Sequence, residues 1–186
     1  MFAFLDFEAS SLAKLSYPIE VAWVFEDGTS EVHLIRPAPQ WTDWDVEAEA
    51  VHHISREMLE SAGTPHELVA RRMVDQLSGH DLFASAPSWD GKWLSALLRA
   101  AKLPRHALRL RDSEEARAET ARRVLASVVP DDRLHIAIAD VVALAEVRQP
   151  TSGSAHRALA DAQDEHRHWL EVVSAARAFA QKAEGS

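Results

Sequence analysis

Along the chain the apolar positions switch between continuous runs, strict alternation and helical spacing. Residues 2–6, Phe-Ala-Phe-Leu-Asp, are an unbroken apolar run closed by a carboxylate, which predicts a strand buried on both faces. Ile19, Val21, Trp23 and Phe25 then alternate with Glu20, Ala22 and Val24. The Asp27-Gly28 pair that follows is a hairpin turn into a third strand over residues 31–35. Pro37 and Pro39 end this antiparallel segment, and a loop rich in Trp and Asp leads to helix start signals at Ser55-Arg56-Glu57 and Thr64-Pro65. A helix is expected over residues 67–77, a short strand over 81–85, a helix from about 89 to 101, a strand over 107–110, and a helix from Ser113 to about 128. A shorter helix over 140–147 stops before Pro150. Thr151-Ser152-Gly153-Ser154 then reads as a hinge and N-cap for the last and longest helix, whose Leu159, Ala162, Trp169, Val173, Ala176 and Ala180 share one face. The expected class is α/β, a mixed central sheet with antiparallel opening strands flanked by helices.

Composition adds constraints. With 186 residues, 47% of them apolar and 26% charged, the chain can bury a continuous core, so one domain is expected over residues 1–181, with a frayed tail at 182–186. The absence of cysteine excludes disulfides, thiolate zinc sites and cysteine nucleophiles, and leaves carboxylates and histidines as the metal ligands on offer, a set suited to hard cations. A net charge of -9 argues against a broad basic face gripping duplex DNA, and implies that any nucleic acid is held locally as a short single-stranded end. No basic leader or long apolar run is present, which gives a cytoplasmic expectation without membrane contact.

The chemistry-bearing residues come in an ordered set. Asp6 and Glu8 stand at i and i+2 of a strand and leave the same face, so they are either a metal site or an exposed strand end. Asp90 follows an apolar strand and sits near a helix start, where capping is the plainer explanation. His156 and Asp161, five apart in Ser-Ala-His-Arg-Ala-Leu-Ala-Asp, open the last helix; alone, such a histidine reads as a surface residue. Taken in order, these segments resemble the DEDDh branch of the DEDD 3′-5′ exonuclease superfamily, which includes polymerase proofreading subunits, ribonuclease T and oligoribonuclease. Phe-Leu-Asp-Phe-Glu-Ala-Ser-Ser-Leu is similar to that branch's first motif, Val-His-His-Ile to its Val-His-Gly-Ile segment, and His-Arg-Ala-Leu-Ala-Asp-Ala-Gln to its third motif. The second motif departs from the pattern, with Ser85 and Ala86 in place of His-Asn and Trp89 in place of Phe; His53 replaces the Gly.

The resemblance implies a ribonuclease H-like fold and a two-metal phosphodiester hydrolase that releases nucleoside monophosphates from single-stranded DNA or RNA 3′ ends. It assigns two Mg²⁺ or Mn²⁺ to Asp6, Glu8, Asp90 and Asp161, and the general base to His156. Ala9, Ser10 and Leu12 would meet the terminal nucleotide, with His52 and Ile54 on its far side. Glu20 reads as a supporting acid, and Trp41 and Trp44 either stack bases or fold onto the core. The resemblance extends to a homodimer, and to a polymerase or repair partner that stays unidentified. Three alternatives remain open: an oligoribonuclease-like enzyme limited to very short oligomers, a catalytically weak binding or scaffolding domain of the same fold, and an endonuclease using similar acids.

Overall fold

The computed structural model describes residues 1–147 and 156–184. The hinge and N-cap expected at Thr151–Ser154 lie outside the described residues. Six strands form one sheet: β1 Phe2–Ala9, β2 Pro18–Phe25, β3 Ser30–Arg36, β4 Thr64–Pro65, β5 Asp81–Ala84 and β6 Leu110–Asp112. Their spatial order is β4-β3-β2-β1-β5-β6. The meander β1-β2-β3 is antiparallel, whereas β4 joins β3, and β5 and β6 join β1, in parallel. Thus the sheet is mixed, and the α/β layering predicted from the sequence is the one observed. Both of its edges are very short: two residues in β4 and three in β6.

Seven helices complete the described chain: α1 Val46–His52, α2 Arg56–Ala62, α3 His66–Leu77, α4 Pro87–Ala100, α5 Ser113–Leu125, α6 Asp131–Val147 and α7 Ala158–Glu184. The period of two along β1 sorts its side chains between two layers. Ala3, Leu5, Phe7 and Ala9 pack with Val69, Met73 and Leu77 of α3 and Trp93, Leu94 and Leu97 of α4. Phe2 and Phe4 point the other way, onto Phe83, Ala116 of α5 and Trp169 of α7. Each large apolar side chain buried here contributes about 1.5–3 kcal/mol. Asp6 and Glu8 continue the Phe2-Phe4 row, so the register that builds the α7 side of the core also delivers two carboxylates to it.

Several boundaries differ from the sequence expectation. Asp6 does not end β1; the strand runs through both acids to Ala9, with a register shift only between Glu8 and Ala9, because β2 keeps pairing opposite them. Helix α1 was not expected, although Asp45 caps it by accepting from the Glu47 amide at 2.8 Å. The expected 140–147 helix starts at Asp131 instead. Its Leu134, Ala137, Ile138, Val141 and Ala145 close a separate core against α5 and α7. The strand expected over residues 107–110 is β6, three residues later at its start. Helix α7 continues to Glu184, into the segment expected to fray. Among the described residues no helix is long and apolar enough to cross a membrane.

Candidate metal centre

Asp6 and Glu8 on β1 meet Asp161, which lies in the first turn of α7, and one carboxylate oxygen from each lies within 4.8 Å of the others. Three like charges at that separation repel strongly away from bulk water. Burial, followed by the neighbouring charges of Asp90, Glu8, Asp161 and Glu165, raises the Asp6 carboxyl well above the ordinary aspartate range. Burial is likewise the largest influence on Glu8, which is pushed up to about 8, with Asp161 and Glu20 adding to the rise and Arg157 opposing it. Such a trio is stable as a charged group only with a cation among its oxygens, and its all-oxygen donor set fits a divalent ion such as Mg²⁺ or Mn²⁺.

Asp90 borders this trio rather than belonging to it. Its charge acts on Asp6 and Glu8, its side chain is buried, and its Oδ2 has no hydrogen-bond partner among the described residues. Burial raises its carboxyl to about 7, against the lowering influence of backbone groups of Ala86 and Phe7. Asp90 is not the N-cap residue of its helix. Helix α4 starts at Pro87, and the Asp90 amide already donates to the Ala86 carbonyl at 3.0 Å, which makes Asp90 a residue of the first turn with its carboxylate aimed inward.

The last helix begins at Ala158, so His156 precedes it, in a left-handed conformation (φ 32°) and exposed. The helical spacing assumed for His156 and Asp161 therefore does not apply, because only Asp161 is on the helix. His156 stands outside the ligand trio.

What holds the start of α7 is Glu20 of β2. This carboxylate is 1 % exposed, accepts from the Ala158 amide at 3.0 Å and from Arg157 Nε at 3.0 Å, and takes a further bond from the Arg157 Nη2 group. It thus satisfies an amide of the first helical turn and fixes the register that places Asp161 opposite Asp6. Glu20→Ala is expected to lower the stability of the chain by about 2–3 kcal/mol, since it strands a partly exposed guanidinium and a buried amide. Urea unfolding of both proteins measures this. A loss under about 0.5 kcal/mol would mean that other contacts hold the α7 start.

Glu165, one turn beyond Asp161, was missed by the sequence reading although the i, i+4 spacing puts it on the same helical face. It pairs with Arg117 of α5 at 3.2 Å, both side chains largely buried, and adds to the negative field at Asp6. The loop after β1 is tied down at several points. The Ser10 amide donates to the Tyr17 carbonyl at 3.0 Å, the Ser10 and Ser11 hydroxyls donate to Asp43, and Lys92 donates to the Ala13 carbonyl and Ser16 Oγ at 2.7 and 2.9 Å. Of the residues expected at the nucleotide, Ala9, Ser10, His52 and Ile54 are buried, whereas Leu12 is 71 % exposed at the rim of the loop. His52 Nδ1 accepts from the Ile54 amide at 3.1 Å, burial lowers its pKa, and its Nε2 has no partner among the described residues. Trp41 stacks on Tyr17 with ring centres 5.1 Å apart, and Trp44 donates to Glu49 at 2.7 Å, so both tryptophans fold onto the protein.

No protein-family model matches the sequence. No curated protein matches it either. Solved structures do. E. coli exonuclease I in complex with a dA16 oligonucleotide superposes with a TM-score of 0.65 at 16% identity, over 97% of this chain and 42% of that one. The zinc-bound complex of E. coli exonuclease I with single-stranded DNA gives 0.63 at 16% identity, over 93% and 40%. The moderately thermophilic exonuclease I of Methylocaldum szegediense gives 0.59 at 16% identity, over 92% and 40%. This chain spans about two fifths of the length of these proteins, and the likeness establishes the ribonuclease H-like fold that the sequence led us to expect.

Proposed function

We propose that the chain is a divalent-metal-dependent 3′-to-5′ exonuclease that hydrolyses the terminal phosphodiester of single-stranded DNA or RNA and releases nucleoside monophosphates. The observation that carries this reading is the approach of Asp6, Glu8 and Asp161 to within 4.8 Å, beside the inward-facing Asp90, on a fold shared with exonuclease I.

In this reading Asp6, Glu8, Asp90 and Asp161 hold two Mg²⁺ or Mn²⁺. Cations held there would supply positive charge toward the scissile phosphate and acidify an attacking water. The protein's part is positional. Strand β1 fixes Asp6 and Glu8 in register, and the Glu20 contacts fix Asp161. His156, exposed just ahead of the helix that carries Asp161, would serve as the general base. Leu12 offers apolar surface to the terminal base, with the buried Ala9, Ser10, His52 and Ile54 shaping the wall behind it.

Incubation with 5′-labelled single strands of DNA and of RNA tests the proposal. Stepwise shortening from the 3′ end that needs Mg²⁺ or Mn²⁺ and stops with EDTA is the expected result. Failure to shorten either strand with any divalent ion, or internal cutting of a circular strand, refutes it.

A further inference from the structure

Charge is distributed unevenly along this acidic chain. Between Gly91 and Arg111 there are six Lys and Arg residues and no Asp or Glu, so this stretch carries +6 whereas the rest carries -15. In the structure it comprises α4 beyond Asp90, the connection to β6, and Leu110 and Arg111 of β6. Its cations are not equivalent. Arg111 is neutralised by Glu115, Glu119 and Asp81 at 2.9, 3.5 and 3.8 Å, and Lys92 is spent on the loop after β1. Arg105 and Arg109 are exposed and form no salt bridge among the described residues, and the only side-chain partner of Arg105 there is His106, at 3.0 Å.

These two arginines and His106 line a groove of ≈ 270 Å³ together with Pro87, Gly91 and Ser95 of α4. Pro87 and Gly91 belong to the first turn of the helix that carries Asp90, so the groove runs along that helix from its N-terminal end. Pro87 and Arg109 also line an adjoining depression along the edge strand, where Asp112 and Glu115 are the acids present. Since β1, β5 and β6 are consecutive parallel strands, this edge lies two strand spacings, about 10 Å, to the side of β1, and because Leu110 stands level with Leu82 and Ala3, Arg109 lies toward the start of that strand, with Asp6 and Glu8 farther along it, a span of a few nucleotides.

From this we infer that Arg105, His106 and Arg109 form a phosphate-binding track for the 5′ side of a single-stranded nucleic acid whose 3′ end lies at the acids, an inference that rests on the function proposed above. Guanidinium groups fork onto phosphate oxygens, and the negative surface elsewhere on the chain turns a polyanion toward this side. The local patch reconciles nucleic-acid binding with a net charge of -9, and it favours strands of several nucleotides over dinucleotides as substrates.

The test compares the unaltered protein with the double variant Arg105→Gln/Arg109→Gln. Both are titrated onto a fluorescein-labelled oligothymidylate of about 20 nucleotides in EDTA, from about 50 to 200 mM NaCl. The variant is expected to bind about tenfold more weakly at the lowest salt. The slope of log affinity against log salt should become shallower by about 1.4, the contribution of two phosphate contacts to a single strand. With Mn²⁺ present, kcat/KM should fall for the long strand and stay unchanged for a trinucleotide, which also shows that the variant is folded. Equal affinity and slope in the two proteins, no measurable binding by the unaltered protein, or an equal loss on the trinucleotide overturns the track. Sedimentation with phosphatidylserine vesicles that the oligonucleotide fails to compete also overturns it. Should the unaltered protein hydrolyse nothing, the proposed activity fails, while the EDTA titration still decides the groove.

Discussion

Asp6→Asn is expected to abolish divalent-dependent shortening of a labelled strand, by at least about a thousandfold in kcat/KM, and at the same time to make the protein more stable in EDTA at alkaline pH. The two effects share a cause. Asp6 is the acid on which Asp90, Glu8, Asp161 and Glu165 all act, so without a cation its charge is opposed on every side. An amide of nearly the same shape removes that opposition and also removes the central ligand. Inactivity accompanied by a higher melting temperature separates a ligand from a structural residue, because loss of a structural residue would lower both. A variant that retains more than about a tenth of the activity, or that is inactive because it unfolds, would refute the assignment.

The second large effect concerns pH. Glu8 rises to about 8 and Asp90 to about 7 in the folded chain, while both titrate near the ordinary carboxylate range when unfolded. Between these limits the folded form holds protons that the unfolded form has released. Stability in EDTA therefore falls as pH rises, and the contribution is fully present only below the unfolded values. His52, whose pKa is lowered by burial, works in the opposite sense only up to its unfolded value of about 6.5, so the window from about pH 6.5 to 8.5 isolates the acids. Glu31, whose carboxyl is lowered chiefly by its bond from Arg72, acts below that window. The melting temperature is expected to drop by about 5 °C across it, and excess Mn²⁺ should restore most of the loss at the upper end and far less near pH 5. Calorimetry that finds a flat or rising melting temperature, or equal Mn²⁺ protection at both ends, would show that these carboxylates do not share a buried site.

Much of this arrangement is written in local pattern. The apolar run ending in Asp6, the alternation in β2 and the Asp27-Gly28 turn specify the meander, and the i, i+2 spacing specifies that Asp6 and Glu8 leave one face. What pattern could not supply was distance between elements. Leu-His-Ile-Ala-Ile-Ala in the first half of α6 alternates like a strand, and only its packing against α5 and α7 makes it helical. Asp90 looked like a cap because its helix start was expected two residues late, and the Pro87 start turns it inward. Glu20 was visible as a lone acid among apolar residues, but its three bonds come from residues more than 130 positions away, which no local spacing encodes. The basic stretch could be counted in the sequence. Which of its cations are already paired is set by contacts with distant elements, as for Lys92 with the loop after β1.

The two brief outer strands have a consequence for assembly. A neighbouring polypeptide can extend a sheet only where a row of free backbone donors and acceptors is long enough to template it, and here the outermost strand on one side offers two residues, one of them Pro65, which has no amide hydrogen, and covers only Ile35 and Arg36 of β3. The other offers three, including Arg111, whose guanidinium is anchored to Glu115 just outside that border. Strand addition at β4 and β6 themselves is accordingly disfavoured, and the part of β3 that outruns β4 is the border of the described sheet with the longest unpaired row.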